Sequence, residues 1–135
     1  MEENIIRIEE DGGLSFGDYT LPEKTKVSDF EAFGDYYKIK TFYEITKLEK
    51  NDGFVYESVP GTNVTEFKAA MDGMEFTVSG AEPAQLTLGL IENEEYEVLI
   101  DGVNVGRMTT NISGKLSVSV ELEKGKPVEV KIIRR

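Results

Sequence analysis

The chain has 135 residues, with 15 Lys and Arg against 26 Asp and Glu, a formal net charge of −11, and neither Cys nor His. These absences exclude thiolate and imidazole metal sites, Cys nucleophiles, Ser-His-Asp triads and His acid–base chemistry. What remains is carboxylate, Lys, Tyr and Arg chemistry and, for metals, hard ions such as calcium. The acidic balance argues against nucleic acid and anionic membranes as partners, because both draw on clustered Lys and Arg.

Residues 1–13 have no basic n-region and no long apolar stretch, so no signal peptide is read, and no run approaches membrane-spanning length. Without Cys, the chain reads as cytoplasmic. Strands are expected over 5–10 and 14–21 around Asp11-Gly12-Gly13, followed by a break over 22–29. Residues 26–33 compete for one or two helical turns. From Tyr37 the odd positions Tyr37, Ile39, Tyr43 and Ile45 alternate with Lys38, Lys40 and Glu44, which predicts one long strand or two joined by a bulge. Asn51-Asp52-Gly53 predicts a turn, 54–59 a strand, and Pro60-Gly61 its end.

Further along, 64–70 fits a strand better than a helix, because Phe67, Ala69 and Met71 lead into Asp72-Gly73 and Met74, Phe76 and Val78 lead out. That pattern predicts a two-residue hairpin of type I′. Leu86, Leu88 and Leu90 form the next strand. Residues 96–122 then alternate through Tyr96, Val98, Ile100, Val103, Val105, Leu116, Val118, Val120 and Leu122, with reversals at Asp101-Gly102 and Ser113-Gly114. Val128, Val130 and Ile132 close the series. About ten or eleven short strands with one dry face each predict an all-β antiparallel sandwich, immunoglobulin-like or jelly-roll, with little helix. Residues 1–135 read as a single domain, with a division into 1–60 and 61–135 as the other arrangement.

Eight of the thirteen aromatic residues fall between 30 and 56, on positions of both parities. An aromatic on the outer face of a sheet lies under a covering element such as 22–34, in a subunit contact, or beneath a ligand such as a sugar ring. Tyr36, Phe42 and Tyr56 are the candidate contact residues. Glu92, Asn93, Glu94 and Glu95 form an acidic turn that offers calcium oxygen ligands, yet no Asp-x-Asp-x-Asp-Gly loop is present and the solvated reading is preferred. No metal site, catalytic residue or cofactor is assigned, and no G-x-G-x-x-G or Walker-type loop occurs. Eight carboxylates against one Arg over 69–110, and six basic residues against three Glu over 115–135, form opposite fields able to steer subunits together.

The stretches LSFGDYTL (14–21), FVYESVPGT (54–62) and YEVLIDGVNVGRMTTNISGKLSVSVEL (96–122) resemble a family of small bacterial proteins labelled endosialidase. The likeness runs through most of the chain on strand and turn motifs. The label implies several Arg residues gripping a sialic acid carboxylate, and the chain offers Arg7, Arg107, Arg134 and Arg135. The 96–122 segment is more loosely similar to terminal β-sandwich modules beside glycoside hydrolase domains, which often lack catalytic residues.

The expected function is that of a non-catalytic binding or assembly protein whose partner is another copy of itself or another protein. Carbohydrate binding through the same aromatics is the alternative. A carboxylate-dependent glycosidase is the third reading.

Overall fold

Residues 5–135 are described by a computed structural model, in which the chain forms thirteen strands with antiparallel pairing throughout. In chain order these are β1 (Ile6–Ile8), β2 (Leu14–Phe16), β3 (Thr25–Ala32), β4 (Asp35–Phe42), β5 (Ile45–Lys50), β6 (Gly53–Val59) and β7 (Asn63–Ala70). There follow β8 (Gly73–Ser79), β9 (Ala84–Gly89), β10 (Glu95–Ile100), β11 (Val103–Thr109), β12 (Lys115–Val120) and β13 (Val128–Arg134). They form a seven-stranded sheet in the order β1-β2-β7-β8-β13-β10-β11 and a six-stranded sheet in the order β12-β9-β6-β5-β4-β3. The two pack face to face as the expected sandwich. Among the described residues no helix is long and apolar enough to cross a membrane.

The core is the set of alternate residues that point between the sheets, including Ile39, Leu48, Tyr56, Leu86 and Leu88 from one and Phe16, Val64, Phe76, Val98 and Val130 from the other. At its centre Phe16 meets Tyr56 and Phe67 edge-on, with centroids 5.3 and 5.7 Å apart, and Phe76 stacks on Phe67. Each such ring contributes about 2–3 kcal/mol by burial, so the cluster is a large share of the driving force.

The strand count exceeds ten or eleven because several expected continuities are interrupted. Residues 26–32 are strand and Phe33 opens the following turn, with no helix: β3 carries a bulge between Val27 and Phe30, with Asp29 at φ 58°. The bulge places Val27 and Phe30 on one face, which mimics the i, i+3 spacing of a helix. The same device recurs in β7, where a bulge between Thr65 and Lys68, with Glu66 at φ 54°, turns both Val64 and Phe67 inward.

The stretch from Tyr37 to Ile45 is neither one strand nor a bulged pair. A turn at Tyr43-Glu44 reverses the chain, so that Phe42 pairs with Ile45 and Thr41 with Thr46. Inward parity changes there from odd (Tyr37, Ile39, Thr41) to even (Thr46, Leu48), which puts Ile45 on the outer face and Tyr43 in solvent. The β7–β8 hairpin turns one residue earlier than expected, at Met71-Asp72, since Ala70 pairs with Gly73, and it is not the expected type I′ turn because neither Met71 nor Asp72 has a positive φ. Asp101-Gly102 does form the reversal between β10 and β11, with both residues at positive φ as a type I′ turn requires. Val103 and Val105, expected on a dry face, are exposed on the edge strand β11.

Thr41, Thr46, Ser58 and Thr62 are fully buried at the end of the six-stranded sheet marked by the β4–β5 turn. The Thr62 N–H donates to Thr46 Oγ1 (3.0 Å), and the Thr46 hydroxyl donates to the Thr62 carbonyl (2.8 Å). With that proton spent, Thr41 must donate to Thr46 across 2.8 Å, and Thr41 Oγ1 itself accepts from the Asp18 N–H at 2.9 Å. Tyr56 and Ser58 both meet Thr62 Oγ1 at 2.7 Å. Burial pushes the Tyr56 phenol well above its ordinary range, while its hydrogen bonds to Thr62 and Ser58 pull the other way. Tyr56 therefore stands in the core as a neutral hydrogen-bonding group.

Candidate functional site

At the opposite end of the sandwich, three tight reversals lie close together: Phe33-Gly34 between β3 and β4, Asn51-Asp52 between β5 and β6, and Met71-Asp72 between β7 and β8. The sheets part here and leave a cleft of about 390 Å³, walled by Leu14, Phe33, Tyr37, Phe54, Phe67 and Met74 and bordered by Asp35, Lys50 and Lys68. A second hollow of about 450 Å³ shares Lys50, Ala69, Met74 and Gly89 with it and extends past Leu90 to Tyr96. The first volume lies within the range of small-molecule sites. Gly89 belongs to this wall because a Cβ there would lie 2.4 Å from the Phe54 carbonyl oxygen of the neighbouring strand.

The charged groups of the cleft differ in their freedom. Lys68 pairs with Asp11 at 3.2 Å, and Asp11 is held below the usual carboxylate range first by the Gly13 N–H and then by Lys68. Asp35 accepts from Asn51 Nδ2 at 2.9 Å. Lys50, by contrast, enters no ion pair among the described residues. Burial, and then the neighbouring Asp35 charge, push the Tyr37 phenol above its ordinary range, so it meets the cleft neutral. Flat apolar walls, a phenol and an ammonium are the means of binding an amphipathic molecule.

The candidate residues named from sequence are not brought together. Tyr36 is 53% exposed on the outer face of the six-stranded sheet, and Phe42 is half-buried on the same face at the far end of β4. Tyr56 is wholly buried and is corrected from a surface contact to a core residue. The aromatic-rich region nevertheless supplies the cleft with Phe33, Tyr37 and Phe54, which alternation alone does not bring together because they meet only where the β3–β4 and β5–β6 turns lie at one end of the sandwich.

That outer face is arranged in rows across the strands. Phe42 lies opposite Ile45, and Val59 adjoins them as the residue after Ser58, the partner of Thr46. Lys26, Lys40 and Lys47 form the next row, and Lys38 faces Glu49 beyond it.

Two of the three carboxylates of the acidic turn at 92–95 are paired within the chain, Glu94 with Arg134 at 3.2 Å and Glu95 with Arg107 at 3.6 Å. Arg135 pairs with Glu97, and Arg7 with Glu9 at 3.2 Å. The basic run near the C-terminus thus meets the acidic run through the β10–β13 pairing, and none of the four arginines lines the cleft. Among the described residues no group of three or more acidic side chains is placed to hold a metal ion. Comparison with family models, curated proteins and solved structures finds no match to the chain.

Proposed function

We propose that the protein is a non-catalytic binding protein that takes a ligand with a flat apolar body and an anionic group into the cleft at the end of the sandwich. The observation that carries this reading is Lys50, an ammonium without an ion pair among the described residues of a strongly acidic chain, set beside the walls formed by Phe33, Tyr37 and Phe54. The apolar body lies against the rings, and the anion approaches Lys50.

Anilinonaphthalene sulfonate has both features and serves as the probe. Saturable one-to-one binding is expected, weakened about tenfold in Lys50→Ala through loss of one charge-assisted contact of about 1.5 kcal/mol. Binding that is not saturable, or that Lys50→Ala and Phe54→Ala leave unchanged, refutes the cleft. Neutral, acidic and amino oligosaccharides titrated against the tyrosine fluorescence form a second arm, which separates a glycan ligand from other amphiphiles.

Self-association is the second reading, favoured by the apolar row of Phe42, Ile45 and Val59 on the outer face. Val59 is 54% exposed, and Tyr43, also in solvent, stands edge-on to Phe42 with ring centroids 5.3 Å apart. On this reading light scattering at high micromolar concentration gives a dimer that Val59→Lys converts to a monomer. A parent protein that is already a monomer there excludes it.

A further inference from the structure

The two outer faces differ in how they place like charges. On the seven-stranded sheet Lys68 and Lys131 both lie opposite Glu75, and Glu97 lies opposite Arg107, so that cross-strand neighbours attract. On the six-stranded sheet Lys26 lies opposite Lys40 and Lys40 opposite Lys47, and a carboxylate meets the row only at its β6 end, where Glu57 lies opposite Lys47. Three like charges stand abreast on strands about 4.8 Å apart, an arrangement that costs stability. Lys38 joins them, and these four lysines with Glu49 line a depression of about 100 Å³.

Glu49 is the one carboxylate in that depression, and it does not discharge the row. Its oxygens stand 3.8 Å from the Nζ atoms of both Lys38 and Lys47, beyond the span of about 2.7–2.9 Å of a charge-assisted hydrogen bond. Lys26 and Lys40 enter no ion pair among the described residues. A chain with 26 carboxylates has ample means to neutralise three lysines, and it leaves this row positive.

We propose that the lysine row is a binding site for a tetrahedral oxyanion group, phosphate or sulfate, either free or carried in series on a polymer. Lysine is a compact charge with three rotatable donors, which suits a tetrahedral group that offers acceptors in several directions. An oxyanion seated between the ammonium groups replaces their repulsion with attraction. The site is separate from the cleft and does not depend on what the cleft binds.

Calorimetric titration at low ionic strength tests this with inorganic pyrophosphate in one arm and dextran sulfate in the other. Binding of at least one is expected, weakened at least tenfold in Lys40→Glu and in Lys47→Glu and unchanged in Lys124→Glu. That control makes the same charge change in the turn between β12 and β13, outside the depression. Pyrophosphate alone identifies a small-anion site and dextran sulfate alone a polymer site, and either result supports the proposal.

Reversal at position 40 also relieves the repulsion, so without an anion Lys40→Glu is expected to melt about 2 °C above the parent, which keeps lost binding distinct from misfolding. Failure of both anions to bind, or equal weakening in Lys124→Glu, overturns the proposal. A dimer that salt dissociates, in the absence of anion binding, assigns the row to an acidic face of a second copy and overturns it as well.

Discussion

Thr46→Val is expected to lower the stability of the fold by about 3–5 kcal/mol, a large part of the roughly 5–15 kcal/mol that holds a domain together. Valine keeps the shape of the side chain and removes one hydroxyl. That hydroxyl serves the Thr62 N–H, the Thr62 carbonyl and the Thr41 hydroxyl. All three residues are fully buried, so water does not replace the lost partner. Two backbone groups are left unsatisfied, at about 1–3 kcal/mol each. Thr46→Ser keeps the bonds and loses only a buried methyl, for about 1 kcal/mol. Urea melts of the two variants check the argument. Equal losses would mean that packing, not the hydroxyl, is what Thr46 contributes.

A larger loss is expected at Gly73, where β7 turns into β8. Its φ is 142°, a conformation closed to L side chains, and a Cβ there would lie 1.8 Å from the Ile132 carbonyl oxygen on β13. The obstacle is backbone, so it has no rotamer by which to withdraw. Gly73→Ala must therefore separate β8 from β13, two inner strands of the seven-stranded sheet, at a cost of about 4 kcal/mol or more. Gly102→Ala is the comparison. Its φ is also positive, at 80°, but nothing lies within 4 Å of the added carbon, and about 1 kcal/mol is expected. Similar melting midpoints for the two variants would contradict the close approach of β8 and β13.

Much of the sandwich is legible from residue order because one dry face per strand is written as strict alternation. Tyr96, Val98, Leu116, Val118 and Val120 all point inward as their spacing predicts. Alternation misleads where the backbone inserts or reverses. The bulges in β3 and β7 each bring two apolar residues three apart onto one face, and each segment accordingly competed for a helix. A turn as short as Tyr43-Glu44 leaves no Gly or Pro to announce it, and it moves Ile45 from inside to outside.

The surfaces of interest were less legible still, since they are made by register. Phe33, Phe54 and Met74 meet only because three hairpins reverse at one end of the sandwich. Lys26, Lys40 and Lys47 look like scattered surface charges until the β3–β4–β5 pairing sets them side by side.

The hydroxyl chain and the cleft occupy opposite ends of the same three strands, β4 to β6, which gives the molecule an uneven stiffness. One end is riveted by buried side-chain bonds from Thr41 through Thr46 to Thr62, while at the other the side-chain bonds, such as that from Asn51 to Asp35, are exposed to water. Loops that part to admit a guest therefore need not loosen the rivet, and changes of ligand preference and changes of resilience are free to accumulate independently.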